Sequence, residues 1–142
     1  MAGTIQVRTS IQISNGTLYY QSNPTTFTAV QNLAIGPTPG AIIATQAGTN
    51  VNLSQLQTPG VCTIQNLDLN NYIEYGIWDP NTQEFYPLGE VLAGEIWAFR
   101  LSRYLGIDIG TGPGTTPSGT GKQLRLKGIG GPCQSIVSAF NA

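Results

Sequence analysis

Residues 61–101 read VCTIQNLDLNNYIEYGIWDPNTQEFYPLGEVLAGEIWAFRL. The pattern predicts four strands joined by three tight connections. Residues 61–67 form an apolar run broken by Thr63 and Gln65. Asp68-Leu69-Asn70-Asn71 then turns, because Asp and Asn side chains hydrogen-bond nearby backbone and tolerate left-handed geometry. Residues 72–78 alternate: Tyr72, Glu74, Gly76 and Trp78 take one face, Ile73, Tyr75 and Ile77 the other. Asp79-Pro80-Asn81-Thr82 ends the run with a proline whose ring fixes φ. Residues 84–88 are short and contain Pro87, which lacks an N–H and belongs on an edge or a strand end. Gly89 and Gly94 bracket the next link. Residues 95–101 alternate again, Glu95, Trp97, Phe99 and Leu101 against Ile96, Ala98 and Arg100. A helix over 91–104 competes, since Leu92, Ile96, Phe99 and Arg103 have helical spacing. Gly94 and the aromatic and β-branched content favour the strand.

Outward from this stretch the strand signals continue. Upstream, Ile11-Gln12-Ile13-Ser14-Asn15-Gly16-Thr17-Leu18-Tyr19-Tyr20 is a hairpin signal, because Asn-Gly suits a turn that needs positive φ at both central residues. Ile11 and Ile13 on one side and Leu18 and Tyr20 on the other supply an apolar face. Residues 1–10 are short and polar and predict an N-terminal arm or first edge strand. Residues 21–26 predict a loop, and 27–35 a strand or one weak helical turn. Gly36-Pro37-Thr38-Pro39-Gly40 is rigid punctuation. Residues 41–45 predict a strand, Gln46-Ala47-Gly48-Thr49 a turn, and the alternation Val51, Leu53, Leu56 the partner strand. Downstream, residues 106–121, GIDIGTGPGTTPSGTG, predict a flexible loop. Residues 122–127 predict a final strand with Leu124 and Leu126 on one face. Residues 128–142 form a mildly apolar tail, either packed on its own sheet or donated to a neighbouring subunit. About eight short strands at this spacing are the signature of a sandwich or barrel. The expectation is an all-β fold: a single antiparallel β-sandwich or jelly-roll-like barrel with a flexible Gly-rich loop and C-terminal tail. Its parts are an arm over 1–10, a sandwich core over 11–105, and the loop, final strand and tail over 106–142.

Composition narrows the function. A chain of 142 residues predicts one domain, long enough to bury a core without staples. Net charge is −1 and 9% of residues are charged, against about 25% in ordinary domains. Such a surface is covered by uncharged polar groups or buried against partners. It lacks the basic patch that neutralises phosphates, which argues against nucleic acid. No apolar run is long enough to span a membrane, and residues 1–10 carry no signal-peptide core. Cys62 and Cys133 read as two buried free thiols, with pairing left open. The sequons at Asn15 and Asn52 read as chance matches in a chain with no secretory signal.

Tests for chemistry find little. The chain has no histidine, which removes the Ser-His-Asp and Cys-His arrangements and the common zinc sites. The run ending Gly121-Lys122 fails as a phosphate loop, because Thr116 replaces the first glycine and Gln123 the hydroxyl residue. Glu74 and Glu95 could oppose one another as a glycosidase pair. The plainer reading puts both on a wet face or a strand end. Trp78, Trp97, Tyr72 and Tyr86 could stack sugars, and are more often core or subunit interface. Asp68 with Asn70 and Asn71 offers too few oxygens for calcium and reads as a turn. No catalytic, cofactor-binding or metal-ligating residue is assigned.

One resemblance comes from particular motifs. Asn66-Leu67-Asp68, Asn71-Tyr72-Ile73-Glu74-Tyr75-Gly76, Phe85-Tyr86-Pro87-Leu88 and Ala93-Gly94-Glu95, with Gly60 and the 11–20 hairpin, resemble a family of small bacteriophage virion structural proteins. The resemblance covers roughly residues 10–105. It implies a non-enzymatic capsid cement or decoration protein on the outer capsid surface, made in the host cytoplasm. Such a protein bridges and stabilises capsomers of the major capsid protein as a homotrimer, without nucleic acid, membrane or cofactor. The segments expected to make contacts are the arm over 1–10, the loop over 106–121 and the tail over 128–142. Alternatives are a neck, tail or tail-fibre component and a carbohydrate-binding β-sandwich module.

Overall fold

A computed structural model describes residues 3–31, 35–103, 105 and 121–141. It is all-β, and the chain forms two compact units, Met1–Ala34 and Ile35–Asn141.

The first unit is one long two-stranded ribbon. Its strands are β1 (Gly3–Thr9), β2 (Gln12–Asn15), β3 (Leu18–Gln21) and β4 (Thr25–Gln31). β2 and β3 close on the Asn-Gly turn, where Gly16 takes φ 55°. β1 pairs antiparallel with β4, down to Thr9 opposite Thr25. Between these ladders the Ser22 amide donates to the Ile11 carbonyl (2.8 Å), and the Ile11 amide donates to Ser22 Oγ (2.8 Å). Ser10 therefore faces both Asn23 and Pro24. The extra residue is a bulge, placed where proline has no N–H to give the ladder. It keeps the return strand in phase. Ile5 and Val7 share a face with Ala29 and Phe27, as Ile13 does with Tyr20. Thr4, Gln6, Arg8, Thr26 and Thr28 hold the opposite face.

The second unit is a sandwich of two four-stranded antiparallel sheets and is not a closed barrel. Its strands are β5 (Thr38–Ala44), β6 (Thr49–Asn50), β7 (Pro59–Asn66), β8 (Tyr72–Asp79), β9 (Glu84–Val91), β10 (Ile96–Arg100), β11 (Gln123–Ile129) and β12 (Cys133–Asn141). The first sheet runs β10-β7-β12-β5 and the second β6-β11-β8-β9. Strand alternation puts Cys62 and Ile64 of β7, Val137 and Ala139 of β12, Leu124 and Leu126 of β11 and Ile73 of β8 into the core. Large chains on the second sheet meet small ones on the first, so the layers interdigitate. The sheets come close at Gly128, where a Cβ would lie 2.3 Å from the Gly131 carbonyl oxygen and 2.6 Å from that of Ala44.

The decisive stretch folds as its alternation predicts. β10 replaces the competing helix, with Trp97 opposite Ile64 and Phe99 opposite Cys62. β9 is an edge strand and extends past Pro87 to Val91, with a bulge across from Tyr75 and Gly76. Two expectations are corrected. Residues 51–56 are not a partner strand for β5. Their connection runs over the core, burying Val51, Leu53 and Leu56, with the Val51 amide on the Leu124 carbonyl (2.8 Å). Residues 38–40 are not mere punctuation, since β5 begins at Thr38, on a sheet edge that tolerates Pro39. Of the two places expected for the tail, residues 133–141 take the first, packed on the chain's own sheet. They form β12, hydrogen-bonded to β7 on one side and β5 on the other. The two compact units meet between residues 34 and 35. The loop expected over 106–121 lies outside the described residues except for Gly121.

Candidate functional site

The motif residues around the β7–β8 turn are structural. Asn66 is fully buried, and its amide donates to the carbonyls of Asn71 (2.9 Å) and Val91 (3.1 Å). Its side-chain oxygen accepts from the Asp68 amide (2.9 Å). One side chain thus ties the end of β7 to the start of β8 and the end of β9. Asp68 closes the turn, its Oδ1 accepting from the amides of Asn70 (2.8 Å) and Asn71 (2.7 Å). Gly76 belongs to the same motif. A Cβ there would lie 2.1 Å from the Tyr86 carbonyl oxygen, so the β8–β9 bulge accepts only glycine.

Those backbone N–H groups, Asn71 first and then Asn70, hold the Asp68 carboxyl below its ordinary value of 3.8. The value is depressed in the folded state, so the stabilisation is complete above 3.8 and is lost as pH falls through the depressed value. Asp79 is also lowered, chiefly by the Asn81 amide. Urea midpoints measured from about pH 6 to about pH 3 are expected to fall. Asp68→Asn, which keeps an acceptor and loses the titration, is expected to flatten part of that fall. An identical pH slope in wild type and variant would contradict the assignment.

The four aromatics proposed as a stacking face do not come together. Trp78 lies on the outer face of the second sheet under Arg125, whose guanidinium carbon is 3.5 Å from the ring centroid. Asn50 Oδ1 accepts from Arg125 Nε (2.6 Å) and fixes the lid. Tyr72 is on that outer face, Tyr86 on edge strand β9, and Trp97 on β10 of the other sheet. Glu74 and Glu95 are likewise separated. Glu74 faces Glu90 across the β8–β9 ladder, while Glu95 caps its own turn by accepting from the Leu92 amide (2.8 Å). Asp79 pairs with Lys122 (3.2 Å) in a surface contact of small energetic weight.

The structure assembles a different set at the rim of the sandwich, where β9 and β10 end their sheets. A cleft of about 460 Å³ is lined by Tyr75, Gly89, Glu90, Glu95, Ile96 and Trp97. Tyr75 stacks on Phe99 at 5.2 Å between centroids, and its hydroxyl lies against Gly89, where a Cβ would be 2.6 Å away. Leu88, Leu92, Ile96 and Trp97 leave apolar surface exposed around the opening. Glu90 lies near the end of β9 and Glu95 just before β10, so the short connection between those strands brings both to the cleft. Cys62 and Cys133 are free and buried, and burial pushes the Cys62 thiol up to about 12.

Among the described residues no group of three or more His, Cys, Asp or Glu side chains could hold a metal ion. No helix there is long and apolar enough to cross a membrane. No family model, curated protein or solved structure matches this chain.

Proposed function

We propose that the protein is a non-enzymatic structural component of a bacteriophage virion, most directly a capsid cement protein. It sits on the outer capsid as a homo-oligomer, a trimer at threefold positions, and bridges capsomers of the major capsid protein. The observation that carries this reading is the amount of apolar surface left on a chain so poor in charge. The ribbon tip exposes Ile11, Ile13, Leu18 and Tyr20, and the rim exposes Leu88, Leu92, Ile96 and Trp97. Surfaces of this kind mark contacts with other macromolecules. Of the three contact segments expected, residues 1–10 belong to the ribbon, 128–142 fall largely within the sandwich, and 106–120 lie outside the described residues. The motif resemblance supplies the phage setting.

The test is to add the purified protein to capsids lacking it and image the particles by electron microscopy. Ordered density on the shell at twofold or threefold positions is expected. Density confined to the portal vertex would move the protein to the neck or tail. The rim cleft, with Trp97 beside Glu90 and Glu95, favours one second reading, a carbohydrate-binding module. That reading requires glycan binding that disappears in Trp97→Ala while the fold is kept.

A further inference from the structure

We infer that Arg125, on the outer face of the second sheet, is a binding site for a carboxylate. The side chain is boxed in by its own chain. The Trp78 ring lies under its guanidinium, 3.5 Å from the central carbon. Asn50 Oδ1 accepts its Nε–H (2.6 Å). The turn before β6 presses on its stem: Gly48 takes φ 101°, and a Cβ there would lie 2.8 Å from Arg125 Cδ. These contacts orient the planar fork in advance, so little freedom is lost when it takes a ligand.

No group of the chain answers that fork. Among the described residues the terminal Nη groups have no hydrogen-bond acceptor, and the ion pair there joins Lys122 to Asp79. The pairing register explains why. Glu74 of β8 stands opposite Lys127, while the residue opposite Arg125 is Gly76, which has no side chain to offer. On its other side Arg125 meets Asn50, a neutral acceptor that engages Nε alone. The edge of the guanidinium between its two Nη atoms is left for the paired oxygens of a carboxylate, the geometry in which arginine binds that group best. Burial pulls the guanidinium's pKa down, as expected of a cation partly withdrawn from water with no counter-charge beside it.

The surroundings favour a carboxylate over a phosphate. Glu74 and Glu90 oppose one another across the β8–β9 ladder, on the same face as Arg125. Their field penalises a dianion more than a monoanion. Lys127 is the other cation of β11, and Glu74 is its neighbour in the ladder. Beside the guanidinium, Trp78 pairs with Phe85 across the same ladder and offers apolar surface to the methylenes of an acid. The ligand is therefore a single carboxylate on a short apolar stem. That describes an Asp or Glu side chain of a partner protein and a small free acid alike, and the test separates them. The inference stands apart from the capsid reading, because its probes are small molecules in solution with no capsid present.

The test is an NMR titration of the whole chain, isotope-labelled in its arginine and tryptophan side chains, with acetate and with glutamate blocked at both ends. The Arg125 signals are expected to move and saturate, with a dissociation constant on the order of 10 mM. Those of exposed Arg8 and Arg100 should show no saturation. Arg125→Lys keeps the charge and loses the fork, and should weaken binding about fivefold or more, read at the Trp78 indole. Asn50→Ala leaves the fork but unties it, and should weaken binding about threefold. An unchanged backbone amide spectrum away from the site shows that both variants fold. Saturation by both probes supports a partner's acidic side chain, and saturation by acetate alone supports a small free acid. Arg125 signals that move no more than those of Arg100 would overturn the inference, and would mean that the side chain serves only to cover Trp78. An equal response to chloride, or tighter binding of inorganic phosphate than of acetate, would overturn it as well.

Discussion

A chain cut before residue 133 is expected to form no sandwich. β12 is the inner strand of the first sheet, and Ser135 to Ala139 pair with both neighbours. Its removal strips two ladders at once and leaves β5 with no partner strand in its sheet. Cys133, Val137 and Ala139 are fully buried, and Ser135 donates to the Ile42 carbonyl (2.8 Å). Asn141 Oδ1 accepts from the Thr58 amide (2.6 Å), fixing the entry to β7. The loss exceeds the roughly 5–15 kcal/mol by which a domain is stable. The cut chain should collect in the insoluble fraction, or show no cooperative thermal transition if kept soluble. A soluble product melting near the intact chain would contradict the strand order.

Asn66→Leu is expected to cost about 4 kcal/mol. Leucine shares asparagine's branching but its methyl groups are bulkier, so overpacking in this closed site adds to the loss of the polar contacts. It leaves the carbonyls of Asn71 and Val91 and the amide of Asp68 without their partner, at a position with no exposure. Each buried group left unmet costs about 1–3 kcal/mol, and the three together link three strands. Urea denaturation should show a lower midpoint with an unchanged slope. A loss below about 1 kcal/mol would mean that water replaces the amide.

The central hairpins were legible because their residues alternate strongly. Ile73, Tyr75 and Ile77 against Tyr72, Glu74 and Trp78 leave little choice of face. The 11–20 hairpin was legible for the same reason, with Asn15-Gly16 marking the turn. β12 was not, because its inward set is Cys133, Ser135, Val137, Ala139 and Asn141, small or polar at every step. Those residues suit a strand that opposes large side chains, but they give almost no hydrophobic contrast. The run from Val51 to Leu56 failed in the opposite direction. It has the alternation of a strand, yet its burial comes from lying over the end of the core, and alternation reports burial whether or not a ladder forms. The rim cleft was hidden because Tyr75, Trp97 and the two carboxylates come to it from β8, β10 and the β9–β10 connection, and no spacing in the sequence marks that meeting. The buried role of Asn66 was visible only as a motif, because Asn is read first as a turn residue.

The place of β12 between β5 and β7 also governs the order of events during translation. At about 5–20 residues per second, roughly 5–20 s separate the synthesis of Ile35 from that of Asn141. The ribbon pairs residues close in sequence and can close as it leaves the ribosome. The first sheet cannot, because β12, which joins its halves, is made after its other three strands. Through that interval β5 and β7 wait with open edges, and the nascent chain depends on its own proline-guarded strand and on chaperones to stay unaggregated. For the sandwich, folding waits on the synthesis of β12.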